Sequence, residues 1–304
     1  MVRALKRNET AAHGVRRIVR QRLEQVIGRL TPRALPDPAI HRARKELKKT
    51  RAALRLLRDV LGERTYARAN ARVRDAARPL SVIRDARALI DQVSELARRP
   101  SARLSAADIA PLRAALEAER RAVRRRLLSR RAEIGAALAS LRELRDESAE
   151  WRVGRRGWPL VGRGLRRVYR EGRDAGAIAR RQPTEANLHE WRKQAKYLWY
   201  QLQILEPASP RTIGRAIAAA RELGDALGDD HDLAVLKSKL AREPGALPDP
   251  HVRARFIEAI DARRAALERK ALALGQRVYR AKPREFAARF GRYVLTWQRG
   301  EARS

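Results

Sequence analysis

The chain has 304 residues, with 70 Lys or Arg against 35 Asp or Glu, a formal net charge of +35 and no cysteine. The missing thiols exclude disulfides, thiolate metal sites and cysteine nucleophiles, and a field this strong opposes compaction unless anions bind it. Apolar residues at 44% supply a core, while aromatics at only 5%, with abundant Ala, Leu and Arg, favour helix over sheet.

The opening MVRALKRNETAAHG lacks the apolar stretch of a secretory signal. No run approaches the roughly 18 apolar residues of a membrane span, so the expectation is a cytoplasmic protein without membrane contact. Apolar periodicity then predicts helices over 9–30, 38–61, 64–78, 83–97, 106–147, 160–181, 185–206, 211–227, 230–241, 250–276 and 283–299. Pro- and Gly-bearing breaks such as TPRALPDP, GRRGWPLVGRG and EPGALPDP punctuate them. No stretch alternates long enough for a strand, so the fold class is all-α.

The chain repeats itself. IHRARKELK at 40–48 matches LHEWRKQAK at 188–196, both reading H-x-x-R-K-x-x-K. Upstream, VRRIVR at 15–20 resembles LRRVYR at 165–170, and downstream IRDARAL at 83–89 aligns with DHDLAVL at 230–236. Three segments in the same order at nearly constant offset indicate two related halves, 10–147 and 160–299. The period is too long for a solenoid, and two helical bundles facing each other across a pseudo-two-fold fit it.

The first motif opens the segment IHRARKELKKTRAALRLLRD, where His41 is followed by eight Arg or Lys. On a helix, Arg44, Lys48, Arg51, Arg55 and Arg58 fall on one narrow stripe, beside a core stripe of Leu47, Thr50, Leu54, Leu57 and Leu61. Like charges one turn apart repel by a few tenths of a kcal/mol (about 0.2–0.5) per pair, so something else favours the arrangement. Lysine placement agrees: of ten lysines in an arginine-rich chain, five fall within Lys45–Lys49 and Lys193–Lys196. The second copy keeps Arg192, Lys193 and Lys196 but has Trp199 and Gln203 where Arg51 and Arg55 stand in the first. Asp37-Pro38 reads as N-cap and first helical residue, placing His41 in a first turn, and Thr184 is a similar cap before His189. A helix N-terminus binds anions. With Arg and Lys one turn on, the ligand that fits is phosphate-like, densely charged and long.

These segments, with GLRRVYREGRDA and ELGDALGDDHDLAVL, resemble the CHAD family, the conserved histidine α-helical domain proteins, over roughly residues 10–299. The resemblance implies a single domain of two helical bundles around a basic central pore that binds inorganic polyphosphate, with no catalysis and no cofactor. It implies association with polyphosphate granules as well. Carried over by position, the pore residues are His41, Arg44, Lys45, Lys48, Arg51 and Arg55 with His189, Arg192, Lys193 and Lys196. Arg16, Arg17, Arg20, Arg166, Arg170 and Arg173 join them from the helix before each motif. Trp199 departs from the family, which tends to have Arg there, and that limits how deep the second basic surface runs.

Other readings stand beside this one. Glu222, Asp225, Asp229, Asp230, His231 and Asp232 form an acidic knot, either a divalent-metal site or, as the spacing favours, carboxylates that buttress Arg and Lys heads. Asp85 lies opposite Asp232 in the repeat. His41, His189 and His231 as metal ligands are opposed by the cations beside them, so no metal is expected. No P-loop, H-E-x-x-H or G-x-S-x-G occurs, so no enzyme is expected. The rival partner is nucleic acid, which bulk charge alone predicts. Against it, Trp151, Trp158, Trp191, Trp199 and Trp297 form no stacking platform and no recognition motif occurs. The oligomeric state is not encoded in any of these features. The helix dipole and the neighbouring cations should hold His41 and His189 below the usual imidazole pKa.

Overall fold

In the computed structural model, residues 4–32, 34–99, 104–154 and 157–300 are described, with residues 82–85 and 157 described by their backbone alone. Among the described residues ten α-helices follow one another: α1 Ala11–Leu30, α2 Asp37–Leu61, α3 Glu63–Ala97, α4 Ala106–Ser129, α5 Arg131–Glu147, α6 Gly157–Arg181, α7 Glu185–Leu205, α8 Pro210–Arg242, α9 Pro250–Val278 and α10 Pro283–Arg299. Two short 3-10 turns, Glu206–Ala208 and Pro244–Ala246, flank α8, and the described residues contain no strand. Among them no helix is long and apolar enough to cross a membrane.

The all-α expectation holds, with three boundaries corrected. The helices predicted over 64–78 and 83–97 are one, α3, with Pro79 inside it. A proline there removes a ladder bond and costs about 3 kcal/mol. Val73, Ala76 and Leu80 form one buried stripe across it, and that burial outweighs the local penalty. The helices predicted over 211–227 and 230–241 are likewise one, α8. Leu223, Leu227, Asp230 and Ala234 continue one buried face straight through Gly228-Asp229-Asp230. Conversely, the single helix predicted over 106–147 breaks at Arg130, whose backbone leaves the helical region at φ −90°, ψ 45°. No Gly or Pro marks that break. It occurs because α4 packs on α3 while α5 turns back to pack on both α1 and α3.

Within the first half, α1 packs on α2, α2 on α3, α3 on α4, and α5 returns to α1. The same order recurs as α6 on α7, α7 on α8, α8 on α9, and α10 on α6. Between the two sets, α1 meets α6, α2 meets both α6 and α7, and α3 meets α8. The motif helices therefore touch directly. Ala52 and Ala53 of α2 are fully buried, and the buried Gln201 side chain of α7 donates to the Ala52 carbonyl at 3.1 Å. A second close approach lies at Gly164 of α6. A Cβ there would sit 2.7 Å from the Arg55 carbonyl oxygen and 2.8 Å from Leu56 Cα. Glycine lets α6 lie backbone to backbone on α2.

Candidate anion-binding face

The amphipathic stripe of α2 decides where its cations go. Leu47, Leu54 and Leu57 are fully buried. Burying them turns Lys48, Arg51 and Arg55, one to two turns apart, to the edge of the core, where each is half-buried. From α7, burial of Leu188, Trp191, Ala195 and Leu198 turns His189, Arg192 and Lys193 toward the same edge. The two sets interact. Lys48, Arg192 and Lys193 all bear on His189. The Arg51 and Arg55 guanidinium carbons lie 5.9 and 4.2 Å from the centre of the Tyr197 ring of α7, a cation–π arrangement.

Carboxylates temper this face. Arg55 Nη1 meets Glu171 of α6 at 3.4 Å, and Lys193 meets Glu190 at 2.5 Å. Arg51 donates to Asn70 Oδ1 at 3.0 Å. Lys48, Arg51, Arg55, Arg192 and Lys193 thus lie within two helical turns of the motifs, with Glu171 and Glu190 among the acids beside them. The His189 pKa is held below the ordinary imidazole value, first by burial and then by Arg192, Lys193 and Lys48. The cause expected from sequence, neighbouring charge, is present but secondary to desolvation. His189 Nδ1 is buried without a hydrogen-bond partner among the described residues, and its ring lies 4.6 Å from that of His231, tilted 50°.

The N-terminal geometry differs from expectation. Asp37 does not cap α2. Pro36 stands at that position without a side-chain bond, and the Asp37 carboxylate binds Arg120 at 2.9 Å and also Arg124 of α4. Thr184 does cap α7, accepting from the Asn187 N–H at 3.3 Å. His41 and His189 are each the fifth residue of their helix, one position beyond the four free N–H groups. The free amides therefore do not face the histidines' own turn. Exposed His41 and buried Arg44 instead line a cavity of about 550 Å³ between α2, α3 and α8, whose opposite wall carries Asp91, Asp229 and Asp232. Arg44 Nε donates to Ser81 of α3 at 3.3 Å.

In the second copy the equivalent groups lie across α8. A Cβ at Gly228 would stand 3.4 Å from Arg192 Nε, and one at Gly224 would stand 3.1 Å from Lys196 Cδ, so two glycines one turn apart give these long side chains a bed. Lys196 Nζ ends 2.7 Å from Asp225 and 4.8 Å from the Trp199 ring centre. Trp199 is thus a buried floor beneath Lys196 rather than a surface group. Trp151, Trp158 and Trp191 are buried as well.

The remaining sequence candidates scatter. Lys45 is exposed on α2. Arg16 donates to the carbonyls of Ala149 and Trp151, at 3.2 and 2.8 Å. Arg17 pairs with Glu9 at 2.5 Å, and exposed Arg20 lies 3.6 Å from Glu24. Arg16 and Arg17 brace α1 against its surroundings, while the Arg20–Glu24 pair lies within α1. Arg166 and Arg170 line a separate dent on α6, and exposed Arg173 sits near Tyr169. Sequence reasoning missed Tyr197, although it lies one turn beyond Lys193 on the same face, and it missed the acids Glu171 and Glu190.

The acidic knot holds basic heads. Asp225 holds Lys196 and lies 3.4 Å from Arg221, Asp230 meets Arg264 at 2.9 Å, and Glu222 meets Lys270 at 2.9 Å. Burial and Asp232 push the Asp229 carboxyl above the usual range. Among the described residues no group of three or more His, Asp or Glu is placed to hold a metal ion. The Asp85 side chain, matched to Asp232 in the repeat, lies outside the described residues.

Comparison with known proteins adds the family. None of the curated proteins matches the chain. Two solved structures share its fold: the CHAD domain from the plant Ricinus communis, at TM-score 0.59 and 16% identity over 96% of this chain and 95% of that one, and PptA from Streptomyces chartreusis, at TM-score 0.57 and 14% identity over 92% of this chain and 100% of that one. The sequence model of the CHAD domain matches residues 17–241, a span that holds both H-x-x-R-K-x-x-K helices and the face they form, and on that match the chain belongs to the CHAD domain family.

Proposed function

We propose that the face formed by α2 and α7 binds inorganic polyphosphate and does not turn it over. One observation carries this reading: Arg51 and Arg55 of the first motif helix lie over the Tyr197 ring of the second, at 5.9 and 4.2 Å, so the two copies supply one basic face. Cations one helical turn apart recur about every 5 Å. Drawn from two helices, they are spaced more densely than the phosphates of a single nucleic-acid strand require. A phosphoanhydride chain, with no sugars between its phosphates, matches that density. We read the chain as one domain of two related halves, 10–147 and 160–299, arranged about a central basic channel. The recurrent helix-pairing order supports that reading. Association with polyphosphate granules in the cytoplasm follows from the same ligand.

The test is competition. Long-chain polyphosphate should displace a labelled polyphosphate from the protein far better than single-stranded RNA or DNA of equal charge, at about 150 mM salt. Equal competition would assign the face to nucleic acid. Chain length followed by gel during prolonged incubation should not change, and shortening would overturn the non-catalytic part.

A further inference from the structure

We propose that the crossing of α2 and α6 carries a second, separate anion site, formed by Arg163, Arg166, Arg167 and Arg170, that takes a small phosphate anion of one or two phosphoryl groups. These four residues and Asp59 line a dent of about 260 Å³. That volume lies below the roughly 300–1,000 Å³ of pockets for drug-sized molecules, which suits a compact anion rather than a folded organic ligand. The spacing i, i+3, i+4, i+7 puts all four guanidinium groups on one face of α6. Such neighbours repel, and Asp59 is the one acid that lines the dent with them.

The site is built rather than incidental. Asp59 of α2 fixes Arg167 through a bond of 2.5 Å to Nη2. Arg167 Nη1 is buried and has no hydrogen-bond partner among the described residues. A buried guanidinium N–H without an acceptor is costly, and an oxyanion in the dent supplies one. The second Asp59 oxygen is also buried and unpaired; it needs a donor, which the P–O–H of a protonated phosphate supplies and a bare oxyanion does not. Arg163, Arg166 and Arg170 make no ion pair among the described residues, and Arg163 and Arg170 are exposed. Their forks offer the bidentate geometry that phosphate oxygens accept. This dent is distinct from the α2–α7 face. Along the crossing, the Arg55–Glu171 pair marks the edge of that face, and the Arg167–Asp59 pair, one helical turn on, belongs to the dent. The site stands whether or not that face binds polyphosphate.

The test uses inorganic pyrophosphate and calorimetry on a background in which the α2–α7 face is disarmed, Lys48→Gln/Arg51→Gln/Arg192→Gln/Lys193→Gln. That variant should still bind pyrophosphate one to one. Adding Arg163→Gln/Arg166→Gln/Arg170→Gln should weaken binding at least tenfold. Replacing the same three with Lys, which keeps the charge but loses the fork, should weaken it several-fold. Loss of binding in the background variant with its melting temperature intact, or equal binding in the Gln and parent proteins, overturns the proposal. So does full binding by the Lys variant, because the field alone would then suffice. Should the background variant fail to fold, crystals of the wild-type protein soaked in tungstate decide the matter. An anomalous peak among the four arginines supports the site, and its absence there overturns it.

Discussion

His189 shows how one side chain reports the surface around it. Burial and the cations Arg192, Lys193 and Lys48 hold its pKa below the ordinary value near 6.5. At neutral pH the uncharged form is therefore favoured. A bound polyanion reverses the local field and raises that pKa, so binding should take up protons and tighten as pH falls from about 8 to 6. Calorimetry in buffers of different ionisation enthalpy measures the uptake, which should be present in the wild type and reduced in His189→Gln. Identical uptake in both proteins would remove His189 from the ligand's neighbourhood. For folding, the sign runs the opposite way. The unfolded chain binds this proton more readily, so the contribution of His189 to stability is present above pH ~6.5 and is lost as pH falls toward its folded value. The histidine itself was legible in sequence. The dominance of burial was not, because it depends on α8 bringing His231 against the ring.

At the scale of elements, the packing of α6 on α2 sets the shape of the basic face, since Glu171 of α6 reaches Arg55. Gly164 is the contact on which that packing turns. The atoms a side chain would meet are backbone, at 2.7–2.8 Å, and cannot rotate away. Gly164→Val should destabilise the protein by about 1–3 kcal/mol or more, read as a lower denaturant midpoint, whereas a substitution at Gly135, where a Cβ would meet nothing within 4 Å, should cost far less. An unchanged midpoint for Gly164→Val would mean that α6 and α2 are not held backbone to backbone. Most helices were legible from their 3.6-residue periodicity. The ones misjudged were α3, α4, α5 and α8, where a buried stripe overrode Pro79 and Gly228, or where tertiary docking broke the chain at Arg130 without any local signal.

For the whole molecule, the question is whether +35 of net charge acts as a diffuse field or through a place. Lys48→Gln/Arg51→Gln/Arg192→Gln/Lys193→Gln removes four charges from the α2–α7 face. Arg269→Gln/Arg277→Gln/Arg284→Gln/Arg292→Gln removes four from exposed positions elsewhere. Charge-assisted contacts contribute about 1.5–3 kcal/mol each, so the first variant should lose at least ~100-fold more polyphosphate affinity than the second. It should also flatten the dependence of log affinity on log salt, as fewer counter-ions are released. Equal losses would mean that the field, not a site, holds the ligand.

The sequence by itself determined the helical class, the doubled motif and the residue types that meet a polyanion, because periodicity, repetition and charge are properties of short stretches. It did not determine which arginines stay available. Arg16 and Arg17 went to Ala149, Trp151 and Glu9, and Lys196 went to Asp225. Arg167 and Arg55 met acids more than a hundred residues away. In a chain with twice as many cations as anions, the fold chooses which cations find a carboxylate. That choice rests on contacts between helices, which no local pattern contains.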